Sequence, residues 1–215
     1  MNIDDSFYSL LNSAKHKDGS GLTSSERWTP KVKKSDFKLS DPCEKTLNDE
    51  VKSNLFYNFE YLEFLQFEYD SLVLTPVLRA MLVKNYIITG VSIIELCFHF
   101  HLSSYIDPND LSHMSLENKI NKEKENSSDY YNLTEEDFRT IHKLRKLRDH
   151  VHIYIRKKNS NSYVNKNKEY NMFSPDGDNL DAKKAMGDIL FKLFGRKGSK
   201  FTKNNEAFNY LKTDK

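Results

Sequence analysis

The sequence predicts an all-α protein: a bundle of about five helices, preceded by an arm and carrying a polar loop late in the chain. Three observations lead there. Apolar residues recur at steps of three or four in several long windows, the spacing that buries one face of a helix. Seven Gly and five Pro in 215 residues are too few for the turns of an all-β fold. Fourteen Phe and 12 Tyr give a chain with 30% charged residues enough bulk to fill one core. The length suits one domain, or one domain with an appendage.

Residues 1–44 form the arm. Ile3 to Ala14 has the spacing of a short amphipathic helix through Phe7, Leu10 and Leu11. The following stretch, to Pro42, has the Gly, Ser, Pro and Lys content of a loop. It holds the only tryptophan, Trp28, read as an anchor on the domain surface, with contact to a partner as the alternative.

The helical domain spans 45–195. Its first helix begins near Asp41-Pro42, with proline in the first turn, and runs to about Tyr69 through Leu47, Val51, Leu55, Phe59, Leu62 and Leu65. Phe56, Phe59, Phe64 and Phe67 add aromatic bulk on more than one side. That suits a central or dimer-facing helix, and ordinary core packing is the preferred account. Glu60, Glu63 and Glu68 alternate with these rings and are expected to face solvent.

The second helix, Thr75 to Leu102, is the most apolar, with Pro76 at its start. Gly90 inside it costs about 1 kcal/mol of helix propensity and admits a closely packed neighbour. Glu95 sits between Ile94 and Leu96, and a carboxylate there needs a partner because an unpaired buried charge is costly. An arginine from 145–148 is the expected one. His99 and His101 are two apart, so they point to different sides, and both are read as structural or solvent-facing with no metal site. Asp107-Pro-Asn-Asp110 reads as a turn. A short helix is expected over Ser115 to Lys124, followed by a solvated loop.

Thr134 to Arg156, TEEDFRTIHKLRKLRDHVHIYIR, reads as one helix and concentrates the chemistry of the chain. Thr134 is an N-cap residue, and Glu135 and Glu136 suit the positive end of the helix dipole. Phe138, Ile141, Leu144, Leu147, Val151 and Ile155 form its buried stripe. At about 100° per residue, Arg145, Asp149 and His152 fall within roughly 60° of one another. Arg148 lies about 40° from His152, and His150 about 160° away. Two guanidiniums, a carboxylate and an imidazole thus share one border of the buried face, where partial desolvation can tune them. Such a set suits phosphodiester cleavage. His152 moves a proton near neutral pH. Arg145 or Arg148 binds a phosphate and its charged transition state. Asp149 orients a histidine or an arginine. With the RNA 2′-hydroxyl as nucleophile, no metal or cofactor is required. The alternative is plain ion pairing along a helix.

The segment LRKLRDHVHIY, with the apolar helix YIITGVSIIELCF upstream, resembles the HEPN family of small all-helical domains. Members carry an arginine, commonly followed by Asn, Asp or His, and a histidine four to six residues beyond. Arg148-Asp149 resembles the arginine–polar pair, but only three residues separate Arg148 from His152. Arg145 to His152 has six intervening residues and Arg145 to His150 has four, so either register fits the family's range. Helical geometry favours Arg145 with His152, and His150 stays open as the alternative catalytic histidine. The resemblance covers roughly residues 45–195.

The resemblance implies a metal-independent RNase, often a toxin of a toxin–antitoxin or phage-defence system, acting as a homodimer around a shared cleft. It implies an acidic residue on the second helix near the motif, a place Glu95 fills. It also implies, for one subgroup, a tyrosine two residues after the histidine that a nucleotidyltransferase antitoxin modifies with AMP. Tyr154 stands there, with an ordinary aromatic beside the core as the alternative. A non-catalytic reading stays beside this one: a helical interaction or RNA-binding module in which the same residues form structural ion pairs.

After the motif helix, residues 157–179 are polar and turn-rich, with Ser174-Pro-Asp-Gly177 a strong turn and short strands possible at Tyr163-Val164 and Tyr170 to Phe173. A last helix runs from Asp181 to Phe194, stopped at Gly195. Residues 196–215 form a basic tail in which Phe201, Phe208 and Leu211 pack loosely. Net charge is only +2, so any RNA contact needs a local patch. Cys43 and Cys97 lack metal-site spacing, and Cys97 reads as a small buried hydrophobe. The N-terminus has no signal-peptide pattern. The longest apolar run, Tyr86 to Leu102, is broken by Glu95, His99 and His101, so no membrane span and a cytoplasmic setting are expected. No phosphate-binding glycine loop, His-Glu-x-x-His or Gly-x-Ser-x-Gly motif occurs, which argues against common nucleotide-hydrolysing and hydrolase folds.

Overall fold

The computed structural model describes residues 30–37, 49–126, 131–149, 173, 181–197 and 199–212. Six α-helices occur among them: α1 Asp49–Ser71, α2 Pro76–Leu102, α3 Pro108–His113, α4 Leu116–Asn126, α5 Glu135–Asp149 and α6 Ala182–Leu190. One turn of π-helix, Phe191–Gly195, continues α6, and short 3-10 turns lie at Lys34–Asp36 and Asn205–Leu211. No strand occurs among the described residues, where an antiparallel bridge joins Phe37 to Thr202. The all-α expectation therefore holds. The expected N-terminal helix, Trp28, Cys43, the strands at 163–164 and 170–172 and the turn at 174–177 lie outside the described residues.

Helix α2 is the hub: α1, α4, α5 and α6 all pack on it. Its start follows the expectation, with Pro76 in the first turn and the Thr75 hydroxyl accepting a hydrogen bond from the Leu78 N–H. Thirteen of its residues are buried, which explains its apolar character without an external apolar phase. By length and composition it is sufficient to cross a membrane, beyond what the sequence reading allowed, yet 56% of its most apolar window is buried inside the bundle. Gly90 performs the expected task. A Cβ there would meet the Met186 side chain, its Cγ at 2.7 Å, so the missing side chain lets α6 lie against α2.

Helix α5 begins as its sequence signals. The Thr134 hydroxyl accepts from the Asp137 N–H at 3.3 Å, and the Asp137 carboxylate accepts from the Thr134 N–H at 2.8 Å. This reciprocal cap satisfies two end groups that α-helix geometry leaves unpaired. Asp137 is also paired with Lys192, tying the start of α5 to the π-turn after α6. Asp107-Pro-Asn-Asp110 differs from the expected turn. Asp107 caps α3, its carboxylate accepting from the Asn109 N–H, and the proline supplies the first helical position.

Two corrections concern the ends of the domain. The tail expected to pack loosely is core: Phe201, Phe208 and Leu211 are all buried. Phe208 sits 5.1 Å from Phe59 and 5.5 Å from Phe37, edge to face, while Phe194 lies 4.6 Å from Phe59. Val32 and Phe37 join the same cluster. The lysines around these rings disguise a segment whose aromatics are worth more buried than exposed. Glu63 is the second correction. It is buried rather than solvent-facing, and its carboxylate accepts hydrogen bonds from the Lys31 N–H at 2.9 and 3.0 Å and the Val32 N–H at 3.3 Å. Burial raises its pKa, partly offset by those N–H donors.

Phe208→Ala is expected to cost about 3–5 kcal/mol, the range for truncating a fully buried aromatic. Urea unfolding of the full chain measures it. A loss under about 1 kcal/mol would show that the C-terminal turn lies outside the cooperative core.

Candidate functional site

The site is built where α2, α4 and α5 meet. Glu95 stands on α2, with Ile93, Ile94, Cys97 and Phe98 buried around it. Arg148, near the end of α5, donates to one Glu95 oxygen at 2.9 Å. Lys119, from α4, donates to the other at 3.0 Å. The expected juxtaposition of Glu95 with an arginine of the motif helix is thus present, in the form Glu95–Arg148.

The ionic chain continues along α5. Arg148 Nε and Nη2 lie 3.4 and 3.3 Å from Asp149 Oδ1. Arg145 donates to Asp149 Oδ2 at 2.9 Å, the i,i+4 contact that helical spacing allows. Its other terminal nitrogen is 3.3 Å from Glu117 on α4. The order is Lys119, Glu95, Arg148, Asp149, Arg145, Glu117: three cations alternating with three carboxylates.

The members are unequally covered. Lys119, Arg145 and Arg148 have side-chain exposures of 9, 13 and 27%, whereas Asp149 and Glu117 reach 42 and 53%. The cations are therefore held against the protein while the two outer carboxylates are wet. Arg145 Nε is buried without a hydrogen-bond partner among the described residues. Glu95 is intermediate at 31%. Desolvation pushes its pKa up, but the hydrogen bonds from Lys119 and Arg148 outweigh it, and the net direction is down.

Two histidines flank the network. His99 follows Glu95 by one turn of α2, is partly covered, and feels both Lys119 and Glu95. His142, on α5, places Nε2 3.2 Å from Asn121 Oδ1 and feels Arg145 and Glu117. Desolvation lowers the pKa of both, with Lys119 and Arg145 respectively the next cause. His101 is different. Its Nδ1 lies 2.9 Å from the fully buried Glu123, so it joins α2 to α4 as the structural histidine expected.

Of the residues selected from sequence, Arg145, Arg148, Asp149 and Glu95 come together. His150, His152 and Tyr154 lie outside the described residues. Lys119 and Glu117 were not selected, and His99 was read as structural or solvent-facing. Lys119 hid in the charge-rich run LENKINKEKEN, where nothing local distinguishes it from solvated lysines. His99 was legible: the Glu95–His99 spacing of four puts both on one helical face. A cavity of about 310 Å³ lies elsewhere, lined by Asp137, Asp188, Phe191, Lys192 and Arg196 among others, and shares no residue with this network. No group of three or more His, Cys, Asp and Glu suited to a metal occurs among the described residues.

The fold and site define an all-α bundle with a partly covered Arg–carboxylate network at one three-helix junction. No protein-family model, curated protein or solved structure matches the chain.

The lowered pKa of Glu95 gives a signed prediction. A depressed carboxyl contributes stability that is full above its ordinary value of 4.5 and is lost as pH falls through the lowered one. Urea unfolding across acid pH is therefore expected to show wild-type stability falling below about pH 4.5, with a shallower fall in Glu95→Gln. Asp137, also depressed, leaves a residual slope in the variant. Identical slopes for the two proteins would show that Glu95 gains nothing from its cationic neighbours.

Proposed function

We propose that this chain is a metal-independent endoribonuclease of the kind the HEPN resemblance implies, acting as a toxin or phage-defence effector. The observation that carries the reading is the pairing of two largely covered guanidiniums with outer carboxylates that remain wet. Asp149 and Glu117 are the exposed partners, so an incoming phosphodiester can take their place on Arg145 and Arg148 without dislodging Glu95. Arginine suits this exchange because its planar fork matches phosphate as well as carboxylate.

In this reading the 2′-hydroxyl of RNA attacks the adjacent phosphorus. The P–O2′ bond forms and the P–O5′ bond breaks, giving a 2′,3′-cyclic phosphate and a 5′-hydroxyl. Arg145 and Arg148 stabilise the charge that builds on the non-bridging oxygens. Glu95 and Asp149 orient them. His152 is the general acid or base, and His150 is the alternative. The proposed partners are a second copy of the chain and an antitoxin, either a nucleotidyltransferase acting on Tyr154 or another inhibitor. A cytoplasmic setting belongs to the same proposal.

A second reading has its own support. Every cation of the network already has a carboxylate partner within 3.4 Å. That suits a helical interaction module or an RNA-binding module without turnover, the cluster serving as structural ion pairs.

RNA cleavage by the purified full chain in EDTA separates the readings. Wild type is expected to cut RNA, His152→Ala to lose about 10²–10⁴-fold in rate, and His150→Ala to retain activity. Arg145→Ala and Arg148→Ala are each expected to lose about 10²–10³-fold, as for removal of one oxyanion donor. A wild type without AMP on Tyr154 that cuts nothing in a broad RNA panel overturns the nuclease reading and leaves the interaction module.

A further inference from the structure

We propose that the cavity between α5 and the end of α6 binds a small zwitterion, a free α-amino acid with a large apolar side chain, whose carboxylate pairs with Arg196 and whose ammonium pairs with Asp188. The proposal is independent of the nuclease reading and uses none of its residues.

The cavity has a volume of about 310 Å³, with Asp137 and Thr140 of α5 on one side and Ala185, Asp188 and Ile189 of α6 on another. The π-turn contributes Phe191 and Lys192, and Arg196 follows it. A Cβ on Gly195 would strike the Phe191 ring, so the missing side chain lets that ring lie along the turn. Lys212 Nζ is 4.7 Å from the centroid of the same ring, a cation–π contact that helps to hold it. The half-buried Phe191 and Ala185 and the buried Ile189 together form an apolar wall.

Two charges of each sign line this space. One pair is already matched. Lys192 pairs with one oxygen of Asp137, and the other oxygen accepts from the Thr134 N–H at 2.8 Å and the Thr134 hydroxyl at 2.9 Å. Arg196 and Asp188 are left. Both are exposed, and neither has an ion pair or a side-chain hydrogen bond among the described residues.

One unmatched guanidinium and one unmatched carboxylate beside an apolar wall define the ligand. A plain anion on Arg196 meets the repulsion of Asp188, and a plain cation on Asp188 meets that of Arg196 and Lys192. An uncharged apolar ligand leaves both charges without a partner. A zwitterion satisfies both, and its apolar side chain covers the wall. The size agrees. A cavity of about 150 Å³ holds benzene, so twice that volume suits roughly a dozen non-hydrogen atoms, the size of phenylalanine. A compact space of 310 Å³ is roughly 8 Å across, and an α-amino acid with a hydrogen bond of ordinary length at each end spans about the same.

The test is a two-dimensional amide NMR titration of the full chain with four probes: L-phenylalanine, its amide, N-acetyl-phenylalanine and inorganic phosphate. The amide lacks the carboxylate, and the N-acetyl form lacks the ammonium. Wild type is expected to bind phenylalanine at least about 10-fold more tightly than either blocked form, the scale of one charge-assisted hydrogen bond, with the shifts centred on residues 185–196. Asp188→Asn is expected to bind phenylalanine no better than its N-acetyl form, and Arg196→Gln no better than its amide. Both positions are exposed, and the amide spectrum itself identifies a misfolded variant. The blocked probes test the same pairings in the wild type without any substitution. No shift with phenylalanine up to about 10 mM overturns the proposal. Equal affinity for the blocked forms overturns it as well. Phosphate binding as tightly as phenylalanine makes the cavity an anion site and also overturns it, as does unchanged binding in both variants. None of these outcomes touches the nuclease reading, which RNA cleavage decides.

Discussion

A carboxylate in the middle of the most apolar helix is the constraint around which this bundle is arranged. Glu95 cannot be left alone beside Ile93, Ile94, Cys97 and Phe98, because a charge removed from water needs compensation close by. The chain supplies it from two directions, Lys119 on α4 and Arg148 on α5. The pairing thereby fixes where those two helices cross α2. The hydrophobic residues of α4 and α5, Leu116, Ile120, Phe138, Ile141 and Leu144, supply the area that holds the three together. The ion pairs specify the register. Apolar faces tolerate sliding, whereas an i,i+4 chain of charges meeting a single carboxylate does not.

The same device distinguishes the junction from the cavity lined by Asp137 and Lys192. At that cavity Asp137 is committed to capping α5 and to Lys192. That pair is spent on joining helices. At the three-helix junction the inner carboxylate is similarly committed, but the outer ones are exposed, and apart from the 2.9 Å bond from Arg145 to Asp149 their contacts with Arg148 and Arg145 lie at 3.3–3.4 Å. Exposed pairs of that kind contribute little to stability. They can be exchanged for another anion at small cost.

Much of this was legible from spacing, and what was not has identifiable causes. The boundaries of α2 and α6 followed from Thr75-Pro76 and Asp181, because capping is a local signal written in adjacent residues. The meeting of Glu95 with Arg148 followed from the cost of burying a lone carboxylate, a rule that needs no coordinates. The burial of Glu63 did not, because its donors are backbone N–H groups of residues 31 and 32, whose approach no side-chain pattern encodes. Lys119 is a similar case: its role depends on α4 lying beside α2. Phe208 was misread for a different reason. In a lysine-rich stretch the average composition suggests a solvated tail, while burial is decided by individual aromatics.

A network with equal numbers of positive and negative members does not attract a polyanion through net charge, and the whole chain, at +2, does so only weakly. Under the proposed ribonuclease function, recognition comes from exchange: the substrate phosphate replaces a carboxylate that the guanidiniums already hold. The free site is then neutral and its arginines are pre-oriented, so little ordering is left to the moment of binding. Exchange also restricts what binds. A ligand that presents no planar pair of anionic oxygens gives the arginines less than Asp149 already does, and it is excluded without any steric gate. In that proposal Glu95 keeps Lys119 and Arg148, and so holds the helices in place when the outer carboxylates are displaced. A structural ion-pair role and a phosphate-handling role therefore draw on the same geometry, and what distinguishes them chemically is the presence of groups that move protons beside it.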